Sequence, residues 1–279
     1  MRRSTTAGVM LGAALLIGGC ANSSLTRSGL LSSYDGQRRS DGMLTHASFR
    51  VDKPQVLAAK TVAIVPARFA EGAQAAPLSG EQRRLVSNSI DRSLCAGLSE
   101  RFRIVSSPIE ADLVVQTHIT AIAPTNATIA GISSAASIGG SVAGAATGLP
   151  INVPRIPIGL GSLAVEAEAM AQGSQQAALT WARGADAMTT RPRASNEADA
   201  YALASEFGAD FARLLVTGDD PIKLSFAAMP TVRGVGEFLG ASPKEAACAR
   251  YGRNPGVSGL VGGMVGLPPN WTDAGATRP

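Results

Sequence analysis

The chain has only two histidines, His46 and His118, and three cysteines in 279 residues. That scarcity speaks against a His- or Cys-rich metal centre, and neither HExxH nor CxxC occurs. A GxSxG nucleophile elbow and a phosphate-cradling GxxxxGK are absent too. Serines and aspartates are numerous, but no spacing joins them to a base, so a Ser-His-Asp site has no support. Aromatic residues make up 4% of the chain, which leaves a core of small aliphatic side chains and little area for an aromatic-lined pocket. Net charge is +4, and it falls to +2 without Arg2 and Arg3, too even a balance for a nucleic-acid partner. No cofactor and no enzymatic activity are expected from this inventory.

What is present begins at the amino terminus. Arg2 and Arg3 precede an apolar run from Ala7 to Ile17, and the run closes as Leu16-Ile17-Gly18-Gly19-Cys20. This resembles a bacterial signal peptide ending in a lipobox. The run is too short for a hydrocarbon core that needs ~20 apolar residues. The resemblance implies cleavage before Cys20 and a diacylglycerol on its sulfur. With two or three acyl chains the anchor would be effectively permanent, whereas one chain binds only marginally. Asn22 stands where an aspartate would favour the inner membrane of a Gram-negative envelope, so the expectation is an outer-membrane anchor and a periplasm-facing domain. In that oxidising compartment Cys95 and Cys248 read as one disulfide, the alternative being two buried thiols.

Composition divides the mature chain further. Residues 20–60 are polar and read as a lipidated tether and irregular lead-in, with one small apolar knot, Ser28-Gly29-Leu30-Leu31-Ser32-Ser33-Tyr34. Residues 61–218 read as an α/β domain. Thr61 to Val65 is a β-branched run stopped by Pro66. Ser79 and Gln82 form a capping box, followed by an apolar stripe at Val86, Ile90, Leu94, Leu98 and Phe102. Arg103 to Ser106 is a short strand, Leu113 to Ala123 a long one, and Leu163 to Ala171 and Ala177 to Arg183 form an antiparallel pair joined through Gly173-Ser174-Gln175. A second amphipathic helix runs from Asn196 to about Leu215 and ends at Gly218. The fold class is therefore α+β, a mostly antiparallel sheet with two amphipathic helices on one face. Residues 219–279 read as a Gly/Pro-rich tail with one short helix, 243–251, opened by a second capping box at Ser242 and Glu245 and carrying Cys248.

The domain contains a Gly-rich insertion, 124–162, and no Asp, Glu, Lys or Arg occurs between Asp112 and Arg155. Gly140, Gly144 and Gly148 repeat at every fourth residue, with Ala136 one step earlier, which gives a helix a groove of bare backbone. Membrane insertion or helix-driven homo-oligomerisation is one reading. The other is a loop or a flap of small residues over the sheet, since Ala, Gly, Ser and Thr insert poorly into lipid. Glu166 and Glu168 share one face of a strand, as a two-carboxylate site requires, but that face reads more simply as solvated. Asp112 reads as a turn residue ahead of a strand, and His118, in mid-strand, as structural.

The lipobox, the knot at 28–34, and Ala111-Asp112-Leu113-Val114-Val115 opening a strand before a glycine-rich insertion together resemble the bacterial lipoproteins of domain of unknown function 3313. The closing strands and the helix around Tyr201 to Leu215 continue the resemblance, which spans roughly 25 to 216. It implies location and outline without chemistry. In element order the domain is also similar to small α/β domains of outer-membrane lipoproteins that serve assembly or transport, the curli secretion lipoprotein among them. The expectation is a membrane-anchored module that binds an unidentified envelope protein. Its rivals are an oligomeric pore or secretion lipoprotein that inserts 127–149, and an envelope hydrolase with an unrecognised site.

Overall fold

The computed structural model describes residues 25–74, 76–147, 155–223 and 243–273. Eight strands form one sheet: β1 (Arg38–Arg39), β2 (Thr45–Val51), β3 (Thr61–Ile64), β4 (Arg68–Phe69), β5 (Arg103–Val105), β6 (Leu113–Ala123), β7 (Ser162–Ala171) and β8 (Ser174–Gly184). Their order across the sheet is β1-β2-β8-β7-β6-β3-β5, and β4 adds to β6. The run from β1 to β6 is antiparallel, whereas β3 is parallel to β5 and to β6. Asp112 ties the start of β3 to β6, its Oδ2 accepting the N–H groups of Lys60 at 2.8 Å and Thr61 at 2.9 Å. Those two backbone donors hold its carboxyl below the usual carboxylate range.

Two long helices, α3 (Gly80–Ser99) and α5 (Ala198–Thr217), cover one face; the shorter α1 (Lys53–Ala58) and α2 (Glu71–Gln74) precede them. The capping box of α3 is present in both directions, between Ser79 and Gln82. Its stripe of Val86, Ile90, Leu94, Leu98 and Phe102 is wholly buried. The stripe meets Leu203, Phe207, Phe211 and Leu214 of α5 above Phe49, Val115, Leu179 and Trp181 of the sheet, all within one core. Trp181 packs edge-on against Phe207 at 5.6 Å between centroids. Small residues set the closeness of the two helices: a Cβ at Gly208 would lie 2.9 Å from the carbonyl oxygen of Ile90, and one at Gly97 2.6 Å from Cβ of Ala212. Gly218 closes α5 at a φ of 67°, a left-handed position that suits glycine.

Four readings of the sequence change here. The lead-in at 20–60 is not irregular throughout, because β2 pairs along its whole length with β8. Its inward positions are Thr45, Ala47 and Phe49, too weak an alternation to announce a strand. The glycine-rich insertion carries a helix, α4 (Ala127–Thr147), rather than a loop. Ser134 of α4 packs against the backbone near Pro192 and Gly266. In the tail, the capping box at Ser242 and Glu245 gives way to a 3-10 helix that begins only at Ala246 and ends at Gly252. Ser242 itself lies outside the described residues. Two further helices follow, α6 (Gly256–Met264) and α7 (Pro269–Thr272). The hairpin between β7 and β8 turns one residue earlier than expected, at Gln172 and Gly173, both with positive φ.

Candidate functional site

Strand β7 alternates as expected, with Leu163, Val165, Ala167 and Ala169 in the core. Its opposite face differs from expectation. Glu166 is 0% exposed and Glu168 5%, so the solvated reading of this pair is overturned. What covers them is the knot at 28–34, more than 130 residues earlier in the chain.

The knot lies across the outer face of β7 and β8 as a strap, and its hydroxyl residues are the ones that reach the carboxylates. Ser28 donates its backbone N–H to Glu166 Oε1 at 3.2 Å and its hydroxyl to Oε2, to which Tyr34 Oη also donates at 2.8 Å. Tyr34 Oη in turn accepts the N–H of Gly29 at 2.8 Å, closing a turn that Gly29 makes at a φ of 82°. Glu168 Oε2 accepts Ser32 N–H at 2.9 Å, Ser32 Oγ at 2.6 Å and Gln175 Nε2 at 2.8 Å. Each carboxylate thus receives three donors, and among the described residues neither is paired with a lysine or arginine. A buried carboxylate needs such compensation because removing it from water is costly. Arg27 stacks over the Tyr34 ring at 5.3 Å. Further along, Gln37 accepts from Thr180 of β8.

His118 is the register partner of Glu166 across the β6–β7 ladder and is half-buried. Burial pulls its pKa below the ordinary histidine value, and Arg68 adds to that effect, while Glu168 and Glu166 act in the opposite sense. A substrate would reach the two glutamates only if the strap lifted. The arrangement as it stands is chemically a latch: acceptors on the sheet and donors on the incoming chain.

Removing an acceptor should therefore open the latch. In Glu166→Ala, Ser28 and Tyr34 lose their partner, and each orphaned donor costs about 1–3 kcal/mol. The expected result is a fall in unfolding free energy of about 2–3 kcal/mol in urea, with faster amide exchange at Ser28 and Gly29. Unchanged exchange there would mean that the strap is held by something else.

The other sequence-marked residues fall elsewhere. Cys95 of α3 and Cys248 form a disulfide with a Cα–Cα separation of 5.7 Å. Gly140 and Gly144 fall within the helical span of α4, whereas Gly148 and Cys20 lie outside the described residues. No helix among the described residues is long and apolar enough to cross a membrane. Reading the sequence gave no hint of two buried ion-paired networks. In one, Arg92 meets Asp273 at 2.6 Å, and Tyr201 donates to the same carboxylate at 2.6 Å. In the other, Arg155 meets Asp199. Both pair residues far apart in sequence, and spacing carries no signal for that.

A family model described as a protein of unknown function, DUF3313, matches residues 26–211. No curated protein matches the chain. Among solved structures the chain is similar to the PelC dodecamer from Paraburkholderia phytofirmans, at 10% identity and a TM-score of 0.34, covering 62% of this chain and 98% of that one. A dodecamer of a singly substituted PelC from the same organism aligns at 11% identity and a TM-score of 0.33, with the same coverage.

Proposed function

We propose, for a chain that belongs to the DUF3313 family of proteins of unknown function, a role as a lipid-anchored outer-membrane protein whose periplasm-facing α/β domain binds other envelope components and performs no catalysis. The observation that carries this reading is the strap. Its motif begins eight residues after Cys20 and is fastened to the sheet by two buried carboxylates. Eight residues span at most about 29 Å. Acyl chains on Cys20 would then hold the strap face of the sheet toward the membrane and leave the helical face turned to the periplasm. A latch of this kind serves a domain that has to keep one orientation, which is what docking to a partner requires. Five of the six donors of the latch belong to the motif that resembles the family pattern, the sixth being Gln175 of β8.

Metabolic labelling with a palmitate analogue tests the anchor. The parent chain should carry label and fractionate with membranes, and Cys20→Ala should lose both. An unlabelled parent whose intact mass shows a free thiol at position 20 would sink the reading. A pull-down of the acylated protein from envelope extract should return a discrete partner, and broad serine-hydrolase and glycosidase probes should leave the protein unmarked.

A further inference from the structure

Helix α6 is built inside out. Between Arg253 and Asp273 there is no Asp, Glu, Lys or Arg. Val257, Val261 and Met264 face solvent at 63%, 53% and 57% exposure. Its inner face carries Gly256, Gly259 and Gly263 instead, at helical spacing. Between that face, α5 and the loop 189–193 lies a groove of ≈380 Å³. Gly263 is buried, yet a Cβ built on it would meet no atom within 4 Å, because it points into this open space. An apolar helix ordinarily buries its valines, and here it leaves room beneath its glycines.

The lining says what fits. Ala202, Pro255, Leu260 and the glycine backbone present carbon to the groove. Three arginines border it. Arg92 is engaged by Asp273, and Arg193 by the carbonyl of Leu267 and by Thr272. Arg191 is exposed and has no partner among the described residues. Glu206, the one acid of the lining, is already paired with Arg183. The groove is thus mostly apolar on its glycine side, with Ser89, Thr189, Thr190, Tyr201 and Ser205 on the other walls and an unspent cation at its rim. Its volume lies near the lower end of the ~300–1,000 Å³ common for small-molecule sites, which suits one chain and not two.

We propose that this groove binds a single acyl chain with an anionic head, the chain lying against the glycine face of α6 and the head on Arg191. A free fatty acid and a single-chain phosphate-headed lipid share that chemistry. The diacylglycerol expected on Cys20 has no anionic head to pair with Arg191. The proposal stands apart from the anchor, so its test uses the full chain carrying Cys20→Ala.

Native mass spectrometry and calorimetry with palmitate, with palmitoyl lysophosphatidate and with uncharged monopalmitoylglycerol read the outcome. One palmitate or one lysophosphatidate should bind per chain, and the tighter of the two identifies the source. Monopalmitoylglycerol on the parent, and palmitate on Arg191→Glu, should bind about tenfold more weakly or worse, the loss expected for one charge-assisted contact. Gly263→Leu places a side chain in the open space and should abolish binding while keeping the near-ultraviolet circular dichroism of the parent. Ala202→Leu fills the groove from the other wall and should do the same. Absence of binding by both anionic lipids would overturn the proposal. So would undiminished binding in folded Gly263→Leu and Ala202→Leu, which would place the lipid on the exposed stripe of α6. Equal affinity in Arg191→Glu would remove the head contact and with it the assigned ligand class.

Discussion

Replacing Cys95 and Cys248 together by alanine should lower the unfolding free energy by about 5 kcal/mol, the value the chain-entropy model assigns to so long a loop. The cross-link joins residues 153 apart, from the C-terminal part of α3 to the 3-10 helix of the tail. The other fastenings of that tail are mainly polar, among them Arg193 on Leu267 and Thr272 and the N–H of Ala194 on the carbonyl of Gly266. Tyr251 Oη donates to the carbonyl of Ile64 at 2.9 Å, Lys244 Nζ to that of Ser99 at 2.5 Å, and Asp273 takes Arg92 and Tyr201. Its helix α6 exposes its larger apolar side chains, so burial contributes little there. Without the disulfide, residues 243–273 should open first. Thermal melts of the double variant should fall by roughly 10–20 °C, and limited proteolysis should cut within the tail while the sheet remains intact. Identical melts and an uncut tail would show that the polar contacts suffice.

The second large effect is expected at the base of the glycine-rich insertion. Asp199, in the first turn of α5, is fully buried. It takes Arg155 at 2.5 and 2.9 Å and the N–H of Gly161 at 2.7 Å, while its own N–H donates to Thr125 Oγ1 at 3.1 Å. One residue, through its carboxylate and its backbone N–H, therefore joins the segment after β6, the segment leading into β7 and the start of α5. Arg155→Met or Asp199→Leu alone leaves a buried charge without its counter-ion and should cost about 3–5 kcal/mol. The double replacement removes both charges and should recover most of that loss, because an ion pair of this kind is often no better than a well-packed apolar pair. Urea titrations of the two single variants and the double variant give the coupling directly. A single variant costing under about 1 kcal/mol would mean that water or the helix terminus already satisfies the remaining group. Amide exchange in α4 should rise in both single variants, since the insertion would lose its fastening.

The same contrast runs through the legibility of the molecule. Helix α3 announces itself through Ser79, Gln82 and five apolar residues four apart, and α5 through its stripe and Gly218, because capping and periodicity act over a few residues. Strand β2 was not legible: between Ser, His and Arg only Ala47 and Phe49 mark its inner face, and its pairing with β8 joins segments more than 120 residues apart. The latch was half legible. The motif at 28–34 and the glutamates at 166 and 168 each stand out alone, but the carboxylates were read as solvated since nothing local covers them.

Local chemistry in the chain was enough to establish the α+β class, the two helices and the central strands, each being a matter of neighbouring residues, while for Cys95 and Cys248 it left a disulfide and two buried thiols both open. Folding settled what meets what: which carboxylates leave water, which arginines meet a buried carboxylate, and where two glycines let helices touch. The reason is that burial belongs to the assembled layers. A glutamate on a strand face is exposed or sealed according to a segment that arrives from far along the chain, and its own neighbours carry no record of that arrival.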